Sequence, residues 1–483
     1  DVYEGTYSSV LVNMAAFIAV SLAFGGMADA DSVPRVLEIR SAPTVATEAV
    51  VAHPSAGRPG SPGRAPLAVQ TVSAQNVILD TSPVRPIVSP LLPSRTDLDV
   101  AALSSANGAR LLKELTQLGP AGMSTYLATY PAKLDALLAS PPAAATVSSW
   151  WGDLGSGERA SWLSAAPRLV GNLDGIPMRE RSDANLKYLT EASSGIRQRL
   201  ATQVSRNEKS SLAQELSVLG QVKLAVESKS KRTPRYLMQL DPADGGRAAV
   251  VVGNPDTADF VTYLVPGMNY GVEAQLVNWT ATAEALAAEQ KRVLRERSDP
   301  KKPAQQVATI AWIGYHTPDL FSVGGLDRAE VGADQLERAI TGLRVVRGND
   351  QPFLSIIGHS YGSVVSLVAL ARGSLAVDTF TLVGSPGSAT QSASDLNVAG
   401  GTVFVGEADW DPAVNSGFFG SDPGASSYGA HRLGVSGNRD ALTGKWLNAS
   451  LGHNDYFTPA SESLHNMALI NTGYAKQVTG SSE

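Results

Sequence analysis

Residues 353–362, Phe-Leu-Ser-Ile-Ile-Gly-His-Ser-Tyr-Gly, constrain this chain more than any other stretch. An apolar run of strand character meets Gly-x-Ser-x-Gly and passes directly into Ser363-Val-Val-Ser-Leu-Val-Ala-Leu-Ala-Arg372, a run without helix breakers. Strand, tight turn and helix in that order put the central serine on a nucleophile elbow. The glycines two residues before and after Ser360 remove the Cβ atoms that would collide where strand and helix converge. Such a turn lifts the Ser360 hydroxyl above one end of a sheet.

A serine hydroxyl attacks poorly unless a base takes its proton and a third group orients that base. Behind an elbow these follow in the order Ser, Asp or Glu, His. The chain has six histidines, of which His431, His453 and His465 lie beyond Ser360. His453 sits in the Gly-led stretch Leu451-Gly-His-Asn-Asp-Tyr-Phe457, after the last predicted strand and before a closing helical pattern. It is the expected base. His465 falls at helical spacing within Ser461–Ile470 and reads as a packed or surface helix residue, while His431, in a Gly-rich loop before Arg432-Leu, is the weaker rival for the base. For the acid, Thr402-Val-Phe-Val-Gly406 is a short strand followed by Glu407-Ala-Asp-Trp-Asp411-Pro-Ala-Val414. Asp411 has the expected offset, with Asp409 as the alternative; a carboxylate there would accept Nδ1–H of His453 and fix its tautomer.

An oxyanion hole needs two donors aimed at one point. The backbone N–H of Tyr361, at the first turn of the helix, is one. The second is expected in the loop after the strand Phe260–Val265, where Pro266-Gly-Met268 follows, and Met268 is the candidate through its main chain.

From Arg235 onward, short apolar strands alternate with helical stretches such as Glu273–Arg297 and Arg328–Val346. That alternation predicts a mostly parallel sheet with helices on both faces, the α/β class. Ligands in such sheets bind at the carboxyl ends of the strands. Four regions are expected. Residues 1–30 hold an apolar run ending in Ala28-Asp-Ala30, which reads as a signal-like or anchor segment. Residues 31–96 are a Pro/Ser/Ala-rich linker or strap. Residues 97–231 form a helical subdomain that could cap the site. Residues 232–483 form the catalytic domain.

The chain of 483 residues is long enough for a large core, and its net charge of −6, with no basic run, gives no basis for nucleic-acid binding. With no cysteine, neither disulfides nor a thiolate nucleophile can form. No histidine–carboxylate run has metal-ligand spacing, and no phosphate-loop or dinucleotide fingerprint occurs, so no cofactor or metal is expected. The signal-like start points to export, as a secreted or cell-envelope protein, with 1–96 offering contact to a membrane or an envelope partner; a cytoplasmic location is the alternative.

An ordered set of motifs adds to this reading. Leu169-Val-Gly-Asn-Leu-Asp-Gly-Ile-Pro177, Ala184-Asn185, Arg235-Tyr-Leu, Leu240-Asp-Pro and Gly253-Asn-Pro-Asp-Thr-Ala-Asp259 come first. Val265-Pro-Gly, Ala311-Trp-Ile-Gly-Tyr315 with Thr317-Pro, the elbow, Val383-Gly-Ser-Pro-Gly387, Asp411-Pro and His453-x-Asp-Tyr-Phe457 follow. With these, the chain from about Ser148 onward resembles the actinobacterial α/β-hydrolase family designated DUF1023. The resemblance implies an α/β-hydrolase fold and a Ser360–Asp411–His453 triad. The activity expected is a serine hydrolase of small-molecule or lipid esters, working through an acyl-enzyme. Two alternatives stand beside it: acyl transfer to a lipid or cell-wall acceptor, and a non-catalytic envelope or assembly protein that keeps the fold as scaffold.

Overall fold

The computed structural model describes residues 103, 105–227, 233–297, 301 and 303–480. The segments expected over 1–30 and 31–96 lie outside the described residues. Strands β1 (Arg235–Asp241), β2 (Arg247–Val252), β3 (Phe260–Val265), β4 (Val307–Ile313), β5 (Phe353–His359), β6 (Thr379–Val383), β7 (Val403–Gly406) and β8 (His431–Arg432) form one sheet in the order β1-β2-β4-β3-β5-β6-β7-β8. The β1–β2 and β2–β4 pairs are antiparallel and the rest parallel. β3 and β4 are buried at every position, and apart from Thr262 and Thr309 their residues are hydrophobic, as expected of strands covered on both faces.

Helices supply that cover. On one face lie α10 (Asp327–Arg347) and α11 (Tyr361–Ala371), with Leu336, Ile340, Val364 and Leu367 against Tyr263, Ile310 and Ile356. On the other lie α8 (Arg206–Val226), α9 (Val272–Arg297) and α12 (Glu462–Ile470), with Val222, Leu276 and Met467 against Val250, Leu264 and Ala311. Several buried threonines and serines of this sheet find partners: Thr309 donates to Gln290 Oε1 and Gln290 Nε2 donates to Thr262, each at 3.0 Å, and Thr379 donates to Ser355 at 2.8 Å.

The helical region expected as one subdomain over 97–231 divides in two. Helices α1 (Gly108–Thr116), α2 (Gly119–Thr129), α3 (Pro131–Ala139), α4 (Ala144–Asp153), α5 (Ser156–Ala165) and α6 (Pro167–Asn172) build their own core around Leu112, Trp151, Trp162 and Leu169. By contrast α7 (Met178–Leu200) and α8 place Leu189, Ile196, Val218 and Val222 in the same core as the sheet. The apolar faces of these two helices pack on β1, β2 and α9, while α7 also packs on α6 and places Ala184 in the core of α1–α6. The contacts of α1–α8 run to β1, β2, α9 and α10. They buttress the antiparallel flank of the sheet and give no support to the capping role expected of this region.

β1 is an edge strand, and its outward main-chain groups are met by side chains from this flank. Ser182 Oγ accepts from Leu237 N at 3.0 Å, and Asn185 Nδ2 donates to Leu237 O at 3.0 Å. Asn172 pairs with Leu240 in both directions, accepting from its N at 2.9 Å and donating to its O at 3.0 Å. At the opposite edge β8 is only two residues long and exposed.

Candidate active site

The turn between β5 and α11 has the geometry the sequence requires. Ser360 holds φ 54° and ψ −130°, a region that costs a non-glycine residue about 1–3 kcal/mol. Its neighbours explain why only glycine fits at 358 and 362. A Cβ on Gly362 would lie 2.2 Å from the carbonyl oxygen of Val265, and one on Gly358 would lie 2.6 Å from the Cα of Ser363. The turn is locked from both sides, since Ser360 N donates to Val383 O at 3.0 Å and the Ser363 hydroxyl donates to Ser360 O at 2.6 Å.

His453 and Asp411, expected as base and acid, come together. Nδ1 of His453 donates to Asp411 Oδ1 at 2.8 Å. With that proton committed, Nε2 is the ring nitrogen that keeps its lone pair. The Asp411 carboxylate is fully enclosed and receives two more donors: Ala413 N on Oδ1 at 2.9 Å and the Tyr456 hydroxyl on Oδ2 at 2.6 Å. Burial raises its pKa, but the hydrogen bond from His453, with that from Tyr456, outweighs burial and holds it below the ordinary carboxylate range. The alternative acid, Asp409, is exposed.

The other two histidines are elsewhere. His431 lies exposed on β8 against the ring of Phe404, 5.3 Å between centroids. His465 is buried on α12, and its Nδ1 lies 2.8 Å from Glu289 Oε1 and 2.9 Å from Arg292 Nη2.

The loop after β3 abuts the elbow, for a Cβ on Gly267 would lie 2.5 Å from the Cβ of Ser360. Met268 follows directly and is buried. Tyr361 heads α11, where the first amides of a helix have no intrahelical acceptor. Three buried tyrosines hold the surrounding loops. Tyr315 donates to Pro266 O at 2.7 Å, Tyr361 donates to Gly325 O at 2.6 Å, and Tyr456 accepts from Ala408 N at 2.9 Å while donating to Asp411. Tyr315, Tyr361 and Tyr456 stand within the sequence motifs, but the acceptors of their hydroxyls come from distant loops and leave no local signal. His359 likewise has a distant partner, for its Nε2 lies 2.8 Å from the carbonyl oxygen of His453.

Trp410 and Leu451, on the loops that carry Asp411 and His453, are exposed and tied to each other by Trp410 N donating to Leu451 O at 3.0 Å. Among the described residues, no group of three or more histidine or carboxylate side chains could hold a metal ion, and no helix is long and apolar enough to cross a membrane.

Comparison with known proteins agrees with this architecture. Residues 241–436 match a family described as Alpha/beta hydrolase. An uncharacterized protein of Mycobacterium bovis is 37% identical over 199 residues, which is 39% of this chain and 72% of that protein. An uncharacterized protein of Mycobacterium tuberculosis is 28% identical over 395 residues, 71% of this chain. The chain spans 58% of the length of that second relative. Among solved structures, a Pyrobaculum calidifontis esterase is similar over 59% of this chain and 97% of its own, at 15% identity and a TM-score of 0.30. The chain belongs to the alpha/beta hydrolase family.

Proposed function

We propose that the protein is a serine hydrolase of esters, with Ser360 as nucleophile, His453 as general base and Asp411 as its orienting carboxylate. The observation that carries the reading is the 2.8 Å pairing of His453 with the enclosed Asp411 carboxylate, with the His453 carbonyl 2.8 Å from His359, the residue before the serine of a strained strand-to-helix turn. In the first step His453 Nε2 takes the Ser360 proton as Oγ bonds to the ester carbonyl carbon. The tetrahedral oxyanion collapses, the imidazolium protonates the departing alcohol, and an acyl-serine remains. Water then attacks that ester with His453 again as base, releasing the acid and restoring Ser360.

The main-chain N–H groups of Tyr361 and Met268 are proposed as oxyanion donors, each worth about 10²–10³-fold in rate. Asp411 does not change protonation; held ionised by its three donors, it favours the imidazolium that forms. Buried Met268 and exposed Trp410 and Leu451 suit an ester with an apolar acyl or alcohol part. The narrower kinship with DUF1023 proteins is likewise proposed, on the order of motifs along the chain.

The test is labelling with a fluorophosphonate followed by mass spectrometry, together with hydrolysis of p-nitrophenyl esters. Labelling at Ser360 that disappears in His453→Ala supports the reading. A folded parent that takes no label, or a Ser360→Ala variant with the parent's hydrolysis rate, overturns it.

A further inference from the structure

His359 carries features that acyl transfer by Ser360 does not use. It closes β5 directly before the nucleophile and is 2% exposed. Its ring packs among Tyr270, Trp279, Tyr456 and Phe457 at centroid separations of 6.0, 6.5, 6.3 and 5.9 Å, and 4.8 Å from the ring of His453. The carbonyl oxygen of His453 can only accept, so the proton on His359 lies on Nε2. Nδ1 is buried and has no hydrogen-bond partner among the described residues, which suits a bare lone pair and not a second N–H.

The ring is therefore the neutral Nε2–H tautomer. Burial, and after it the charge of the neighbouring His453 ring, push its pKa down to about 3, outweighing the hydrogen bond to the His453 carbonyl and the charge of Asp411, which act in the opposite sense. The titratable groups that face it are His453, Asp411, Tyr270 and Tyr456. A cation here would sit beside the one ring that has to become an imidazolium during the reaction.

We propose that His359 is a positioning residue for His453: a neutral peg whose Nε2–H holds the His453 carbonyl and so fixes the base relative to the elbow. The proposal rests on the roles given above to Ser360 and His453. The turn that carries the base is closed locally, with Leu451 N and Gly452 N donating to Asp455 Oδ2 at 3.2 and 2.8 Å. It is tied to the sheet end through the Trp410–Leu451 bond, the Asp411–His453 pair and His359. Asp411 governs the direction of the ring and His359 the position of its backbone. Without the second tether the ring can pivot about Asp411 while keeping that hydrogen bond.

Three substitutions separate donation from packing. In His359→Gln the amide nitrogen reaches the place of Nε2, in His359→Asn it stops one bond short, and His359→Leu fills space without a donor. Two readouts apply: kcat and KM on p-nitrophenyl acetate, and the downfield proton NMR signal of His453 Nδ1–H, assigned by its loss in His453→Ala. The Leu and Asn variants are expected to lose about 10–100-fold in kcat at nearly unchanged KM, since misplacement of this kind costs up to about 100-fold, and to broaden the signal. The Gln variant recovers most of both. If Gln and Asn behave alike, or if Leu keeps the parent's kcat and signal, the peg is refuted and His359 is packing. Because the NMR signal needs no turnover, a chain that hydrolyses no ester yet shows the Gln–Asn contrast would overturn the esterase reading and leave the positioning role standing. Should the Leu variant fail to fold, the Gln–Asn contrast alone decides.

Discussion

Tyr456→Phe tests how the acid is held. The hydroxyl it removes sits between two buried groups, accepting from Ala408 N at 2.9 Å and donating to Asp411 Oδ2 at 2.6 Å. Phenylalanine fills the same space, so no cavity opens and the loss is confined to those two bonds. Each stranded group costs about 1–3 kcal/mol, the carboxylate oxygen more than the amide because it is charged. The expected destabilisation is therefore about 2–5 kcal/mol, read by urea unfolding at neutral pH.

The pH dependence of that loss has a definite sign. Asp411 has a folded pKa below its unfolded value of about 3.9, so its stabilisation is complete above that pH and disappears as pH falls through the folded pKa. Removing one of the donors that lowers the pKa moves this loss to higher pH. In an Asp411→Asn background the same tyrosine substitution costs less, since the stranded oxygen is then neutral, and a double-mutant cycle measures the difference. A cost below about 0.5 kcal/mol, the range of an ordinary surface change, would refute the reasoning.

Three further outcomes are expected. Asp411→Asn lowers kcat on p-nitrophenyl acetate by about 10⁴-fold through the wrong tautomer of His453, whereas Asp409→Asn, at an exposed position, stays near the parent; equal losses in both would reassign the acid. Gly267→Ala puts a methyl 2.5 Å from Ser360 Cβ and 3.1 Å from His359 O, so fluorophosphonate labelling of Ser360 is lost or strongly slowed, and labelling at the parent rate would refute the close approach. Glu289 is pushed up by burial but more strongly down by Arg292 and His465, to about 2, so its contribution is full above its unfolded pKa of about 4.3 and fades between there and pH 2. Glu289→Gln should flatten the stability curve across that window, measured by urea unfolding at pH 3 and 6, and an unchanged slope there contradicts the assignment.

Much of the fold is legible because its signals are local. β3, β4 and β6 are buried throughout and broken only by threonines among hydrophobic residues, the mark of strands covered on both faces, which is why the alternation of short apolar runs with helical stretches is readable. The elbow is legible for the same reason: glycine spacing, strand and helix lie within about twenty residues of one another. The pairing of Asp411 with His453 followed from chain order and loop position, although the two are 42 residues apart in sequence. What escaped notice is long-range. Nothing near Tyr456 says that its hydroxyl will face a carboxylate 45 residues earlier, and nothing at His359 reveals a carbonyl 94 residues away. The strands β8, β9 (Asn438–Arg439) and β10 (Trp446–Leu447) were missed because two residues carry no periodicity. The division of the helical region was hidden too, because an amphipathic helix does not disclose which core its apolar face will join.

The side chains along β1 bear on how this edge is kept from pairing with another chain. A bare edge strand is a template for pairing with another chain, and here Asn172, Ser182 and Asn185 occupy the main-chain donors and acceptors at Leu237 and Leu240 that a foreign strand would use. Asn172 and Asn185 stand in Leu169–Pro177 and Ala184-Asn185, two of the ordered motifs of the sequence. A protein trimmed to begin at β1 would keep every residue of the candidate site and uncover a ready docking strip for its own copies. Its first symptom would be self-association, well before any fault in chemistry.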